Sequence, residues 1–176
     1  MTGLDFLRDV CRDGRILDVG PDAGPDAWAA ALGADHLEDV RRGRMRRDHG
    51  LVELSFAEEG HGRWRCLAAS VQVHRLAHAA EGATGPLVPA PLARAYGRFA
   101  PRTPLAELTG ALAAEGVRIV PLDDPSAAPF TRWRVPATGA LVTALGADAH
   151  EGDGVGPGDV WSVSLVRRPT GEGARG

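Results

Sequence analysis

Two stretches of the chain carry the residue types that acid–base chemistry needs. Asp48 and His49 are adjacent, and Glu53 follows a few residues later. His74 and Arg75 stand side by side further along the chain. A carboxylate beside a histidine can form a general acid–base pair, provided that the fold brings the two together. The cluster Asp48/His49/Glu53/His74 therefore predicts a small enzyme or ligand-binding protein with these groups in a cavity.

The same residue types also suit the surface of a protein-binding module. Arginine and aspartate near strand ends commonly form surface ion pairs, and a histidine at a turn is usually solvated. On this interpretation the polar side chains form a contact surface for another protein instead of a catalytic centre. The predicted partner-binding residues are Asp48, His49, Glu53, Gln72, His74 and Arg75.

Other catalytic chemistries find no support in the sequence. Lysine is absent, which excludes Schiff-base, pyridoxal and P-loop lysines, and no serine lies in a nucleophile-elbow motif. His74 and His78 have a spacing that would suit zinc on a helix, but they fall at a predicted strand end without a further ligand motif. Cys11 and Cys66 lie far apart and are predicted to be buried thiols. The sequence therefore predicts no metal and no cofactor.

Charge is balanced along the chain. Five arginines lie between residues 41 and 47, but acidic residues flank them on both sides, and no aromatic residues are interleaved to stack bases. The formal net charge is −3 and the pI is about 6.1, so we expect no nucleic-acid partner. No apolar run reaches the length of a membrane span and no export signal follows Met1, so we expect a cytoplasmic protein with no membrane partner.

Alternating polarity predicts the strands that position the candidate residues. Residues 51–56 and 64–76 are predicted to form two strands, with 57–62 as the hairpin loop between them. The predicted apolar face consists of Val52, Leu54, Phe56, Leu67, Ala69, Val71 and Val73. The predicted polar face consists of Glu53, Ser55, Ser70, Gln72 and His74. Such alternation is typical of an antiparallel sheet with one solvated face.

Helices precede the strands in both parts of the chain. Thr2 and Asp5 form a capping box that predicts a first helix, and Pro25 suits the first turn of a second. Thr103-Pro104 predicts the start of a later helix. Strands are then predicted at 117–122, 130–135, 140–145 and 160–166. The order predicts an α+β fold, with helices packed on one face of an antiparallel sheet.

The sequence predicts a single globular domain over residues 1–168, followed by a disordered tail at 169–176. An alternative is two related helix-then-meander halves, 1–78 and 100–168, joined by a connection at 79–99 rich in Ala, Gly and Pro. An Arg-Trp-Arg triplet recurs in the two halves, which favours a duplicated unit.

Four stretches in the first half form a recognisable pattern. They are Trp28 with Leu32 and Gly33, residues 46–56, residues 64–66 and residues 71–76. From residue 4 to residue 76 the pattern resembles small uncharacterised actinobacterial proteins, some of which resemble immunity proteins of polymorphic-toxin systems. The order of helices and strands is also similar to that of the β-lactamase inhibitor protein. The resemblance implies a non-enzymatic cytosolic protein that binds and blocks a partner, such as a toxin encoded nearby. A protein-binding module is therefore our first hypothesis, and the acid–base site is the alternative.

Overall fold

The computed structural model of the chain describes residues 1–79, 86–149 and 154–167. Five α-helices lie in these ranges: α1 Gly3–Asp13, α2 Pro25–Leu32, α3 Arg75–Ala79, α4 Ala90–Tyr96 and α5 Leu105–Ala114. The eight strands are β1 Leu37–Arg41, β2 Arg44–Asp48, β3 Val52–Glu58, β4 Trp64–Val71, β5 Val120–Leu122, β6 Phe130–Arg134, β7 Leu141–Leu145 and β8 Val160–Val166. All eight join one sheet in the order β1-β2-β3-β4-β8-β7-β6-β5, with antiparallel pairing throughout. The arrangement confirms the predicted α+β fold class.

The sheet consists of two four-stranded meanders that meet at their last strands. β1 to β4 follow one another across the sheet, as do β5 to β8, and β4 pairs with β8 in the middle. At that junction Ser70 lies opposite Ser164, and their hydroxyl oxygens are 2.9 Å apart. Helices precede each meander in the chain: α1 and α2 come before β1, and α3, α4 and α5 come before β5.

The hydrophobic core fills the space between the helices and one face of the sheet. The α1 helix begins with the predicted capping box, in which the Asp5 amide donates to the Thr2 hydroxyl and the Thr2 amide donates to the Asp5 carboxylate. Its buried side chains, with those of α2 and α5, meet the inward-facing strand residues. The largest fully buried side chains include Trp28, Phe6, Phe56, Leu54, Leu108 and Leu112.

A β-bulge changes which residues of β4 face the core. Ser55 pairs with Ala68 and Phe56 pairs with Cys66, so Leu67 is left as the extra residue. The expectation that Leu67 faces the core was therefore wrong, because one extra residue reverses the alternation on one side of the bulge. Cys66 takes the inward position and is fully buried, while Leu67 is half-buried.

The predicted strand at 64–76 ends earlier than expected. β4 stops at Val71, and after a turn the chain enters α3. The amide of Arg75 donates to the carbonyl of Gln72, which closes the turn that leads into the helix. His74 therefore lies just before a short helix and His78 lies within it, and neither is part of a strand.

The charged segment before residue 48 forms a hairpin that the alternation pattern did not reveal. Arg42 and Gly43 both have positive φ, 48° and 72°, as the two central residues of a type I′ turn require. Across the hairpin, Arg47 bonds to Glu38 at 2.8 Å. The arginine-rich run is thus partly paired with its own acidic neighbours.

Two predicted segments fall partly or wholly outside the described ranges. The predicted tail at 169–176 lies outside them, as do residues 80–85 of the predicted connection at 79–99. Within the described part of the chain, no helix combines the length and the hydropathy that crossing a membrane requires.

Candidate functional site

The face of the sheet turned away from the helices is called the open face below. It carries the predicted site residues Asp48 and Glu53. The register places Asp48 on β2 opposite Glu53 on β3, and Glu53 opposite Ser70 on β4. Residues directly opposite each other in an antiparallel pair point to the same side. Ser70 in turn faces Ser164 on β8. A row of polar side chains therefore crosses the sheet from β2 to β8.

Arg75 binds the two carboxylates at one end of this row. Its guanidinium donates to Asp48 at 2.9 Å and to Glu53 at 3.1 Å. It also donates to the backbone carbonyl of Gly50 at 2.6 Å. The three side chains are 17–27% exposed. Because a planar guanidinium with three acceptors has little freedom left, these hydrogen bonds hold the cluster in one arrangement.

His74 lies beside that cluster but belongs to an aromatic stack. Its ring lies nearly parallel to the indole of Trp161, with centroids 4.1 Å apart and an interplanar angle of 5°. The ring of Phe130 also contacts the indole of Trp161, with ring centroids 5.2 Å apart. Burial lowers the pKa of His74, although its bond to the Trp161 carbonyl opposes the shift. Hence His74 serves here chiefly as a flat, uncharged ring at neutral pH.

His49 does not join these residues. It is only 5% exposed, and its ring packs against His36 with centroids 4.8 Å apart. Within the described ranges neither ring nitrogen of His49 has a well-aligned hydrogen-bond partner. Burial, reinforced by His36 and Arg47, lowers the pKa of His49 to about 4. The imidazole is therefore neutral at physiological pH.

The predicted acid–base cluster is thus divided in the folded protein. Asp48 and Glu53 converge on Arg75, His74 stacks on Trp161, and His49 is buried beside His36. The division has a simple cause, since consecutive residues of an extended chain point to opposite sides. Gln72 lies half-buried just after the end of β4, where its backbone N–H donates to the Leu51 carbonyl at 2.7 Å.

A cleft opens on the side where His49 lies. Its volume is about 740 Å³, and its walls are the segment after α2, the turn between β2 and β3, and residues 86–91. The polar part of its lining consists of Asp35, His36, Asp48, His49 and Arg75. The rest of the lining is largely apolar, so the cleft combines a hydrophobic wall with a few polar groups, as small-molecule sites do.

The geometry argues against nucleophilic and metal chemistry at these positions. Burial raises the pKa of Cys11 to about 12 and that of Cys66 to about 11, so neither thiol ionises readily. Both carboxylates of the cluster already accept hydrogen bonds from one arginine. Among the residues the structure describes, no three His, Cys, Asp or Glu side chains come together as a metal site.

Sequence reasoning missed three members of these sites. Phe130 and Trp161 come from strands far along the chain from His74, so no local spacing connects them. His36 lies directly before β1, a strand that was not predicted. The available signal for Trp161 was its place on a predicted strand beside polar residues, which left open whether it faced the core or the solvated side.

Comparison with known proteins adds no further assignment, because no protein-family model, curated protein or solved structure matches this chain.

Proposed function

We propose that this protein is a non-enzymatic, cytoplasmic binding module of the immunity or inhibitor type, which blocks a partner protein held against its open face. The observation that carries the proposal is the adjacency of two rigid groups on that face. The aromatic group is Phe130, Trp161 and His74, and the charged group is Arg75, Glu53 and Asp48.

This combination matches the composition of residues that dominate protein–protein binding energy. Tryptophan and arginine are enriched among such residues, especially where neighbouring contacts exclude water. Trp161 is half-buried, so its exposed part can gain contacts while its orientation is already held by His74. Ordering side chains on binding costs free energy, and preorganised groups avoid most of that cost.

The engagement of Asp48 and Glu53 by Arg75, together with the low pKa of His49, supports binding over catalysis. A general acid–base pair needs the histidine and the carboxylate within hydrogen-bond reach of one substrate. His49 forms no hydrogen bond with either carboxylate, and the pKa near 4 leaves it unsuited to accept and release a proton at neutral pH.

Co-expression with the products of neighbouring genes tests the proposal. Each product is expressed with the tagged chain, and complexes are purified and weighed by light scattering. We expect one of them to form a stoichiometric complex that Trp161→Ala and Arg75→Ala weaken at least tenfold. The exposed Arg118→Ala is the matched control and should bind as the wild type does. If no neighbouring product binds, or if all three variants bind equally, the proposal fails.

A second candidate function rests on the cleft beside His49. A nearly buried imidazole without a well-aligned partner can both donate and accept a hydrogen bond to a ligand. The cleft would then hold a small, neutral, largely apolar molecule. Ligand-observed NMR with a library of neutral hydrogen-bonding compounds tests this. Hits on the wild type that disappear with His49→Phe would support it, and a blank screen would end it.

A further inference from the structure

The open face is more basic than the rest of the molecule. Strand register places six arginines on it, namely Arg41, Arg44, Arg46, Arg65, Arg132 and Arg134. The strand residues of opposite charge on the same face are Asp39, Asp48 and Glu53. The whole chain carries a formal net charge of −3. Because the chain as a whole is acidic, an excess of arginines on one face means that positive and negative charges lie on different parts of the surface.

Internal ion pairs leave part of this positive charge available. Four of the six are paired: Arg41 with Asp39 at 3.0 Å, Arg46 with Glu53 at 3.6 Å, Arg65 with Glu59 at 3.0 Å, and Arg132 with Asp124. Arg44 and Arg134 are exposed, and within the described ranges neither forms an ion pair. Surface pairs such as Arg41 with Asp39, 82% and 53% exposed, contribute little and exchange easily.

Five of the six arginines form two groups, and between them lies a floor of mostly small side chains that also carries Arg65. One group lies on β1 and β2, and the other lies on β6, five strand positions away from β2. At about 4.8 Å per strand the groups are roughly 24 Å apart. The strands between them present mostly small side chains, namely Ser55, Ala68, Ser70, Ser164 and Thr143, together with the two charged residues Glu53 and Arg65. A floor of small residues allows a protruding segment to approach the sheet backbone closely.

We infer that the open face binds an acidic protein segment, with its carboxylates against the two arginine groups and its body over the floor of small residues. The inference rests on the proposed function and names the partner's chemistry. An α-helix with its side chains is about 10–12 Å across, so a helix or helical loop fits between groups roughly 24 Å apart with carboxylates reaching either side.

A polynucleotide is the competing occupant, and the acidic residues of the open face disfavour it. Asp48 and Glu53 lie on the same face as the arginines and would repel a continuous line of phosphates. A protein partner meets the mixed pattern more readily, because it can place basic groups opposite these acids and acids opposite the arginines.

Charge reversal with two labelled polyanions tests the inference directly. The probes are poly-L-glutamate and a DNA duplex, with binding measured by fluorescence anisotropy at increasing NaCl. Because the chain is acidic overall, binding of poly-L-glutamate requires a coherent positive patch. We expect binding that weakens with salt, and a loss of about tenfold with either Arg44→Glu or Arg134→Glu. Arg94→Glu is the matched control, since Arg94 is exposed on α4 and away from the sheet.

The outcomes separate this inference from the function it rests on. Three results would overturn the acidic-segment inference. They are the absence of poly-L-glutamate binding at low salt, an equal loss of binding with Arg94→Glu, and tighter binding of the DNA duplex than of poly-L-glutamate. If a neighbouring gene product binds the chain but tolerates Arg44→Glu and Arg134→Glu, the binding function stands and the acidic partner is rejected. Circular dichroism of each variant confirms that the fold is intact.

Discussion

The two faces of the sheet use the same strands for different purposes. On β3, Val52, Leu54 and Phe56 point toward the helices and are fully buried. Between them Glu53 and Ser55 point to the open face and remain half-exposed. Burial of apolar area on one side stabilises the fold, whereas the other side retains polar groups at little cost to stability. The stability of the fold and the properties of the open face can therefore be altered separately, by changing alternate residues of one strand.

The largest effect should come from the helix side. Leu54→Ala leaves a cavity in a fully buried site, so we expect a loss of about 2–5 kcal/mol in the free energy of unfolding. Ser55→Ala, one residue along the same strand, should change it by less than about 0.5 kcal/mol. Urea denaturation of both variants measures the difference. Similar losses at the two positions would show that the faces are not separate.

The pH dependence of stability sharpens the comparison next, through His49. Its pKa falls from 6.5 in the unfolded chain to about 4 in the folded one. Between these values the unfolded state binds more protons, so the stability is complete above pH 6.5 and decreases as the pH falls toward 4. At 1.36 kcal/mol per pKa unit, the decrease is about 3 kcal/mol.

His49→Phe isolates this contribution. The variant keeps a buried ring without a titrating group. Between pH 7 and pH 4 the wild type should therefore lose about 3 kcal/mol more stability than the variant. Denaturation curves at several pH values give both slopes. Parallel slopes for wild type and variant would mean that His49 is solvated in the folded protein.

The charged group on the open face should contribute less. Arg75→Ala leaves Asp48 and Glu53 opposite each other without a shared cation, and we expect a loss of about 1–3 kcal/mol. Arg75→Lys should recover only part of it, because an ammonium cannot bridge both carboxylates as a planar fork does. Thermal denaturation at low and high salt measures both variants. A Lys variant as stable as the wild type would contradict the bridging geometry.

The smallest effect should occur where the two meanders meet. Ser70→Ala removes one hydroxyl of the 2.9 Å pair with Ser164, and we expect a loss of about 0.5–1.5 kcal/mol. In a double-mutant cycle the change to alanine at both positions should cost less than the sum of the two single changes. Strict additivity would indicate that the two hydroxyls do not bond in solution.

Local sequence signals predicted much of the fold. The capping box at Thr2 and Asp5, the start of α2 at Pro25 and the inward positions of β3 were all predicted. Each depends on interactions within a few residues, or on a period of two that burial on one face requires. The β1–β2 hairpin was missed because its strands are dominated by charge, so no apolar alternation marked them.

The candidate site was predicted only in part. Asp48, Glu53 and Arg75, three of the predicted contact residues, do converge. His49 and His74 do not join them in one centre, because chain alternation turns His49 to the other side and Trp161 captures His74. No spacing in the sequence distinguishes a histidine that contacts a carboxylate from one that stacks on a distant ring.

The fold class, the polarity of the β3 face and the exclusion of lysine-based chemistry can be read from the amino-acid sequence, because composition and short-range periodicity carry that information. The strand order, the bulge at Leu67 and the contact of Phe130 and Trp161 with His74 become visible only in the folded chain. Those features depend on contacts between residues far apart in the chain. The aromatic group forms only when the two meanders pair, and the bulge forms only when β3 pairs with β4, so no short segment records either feature.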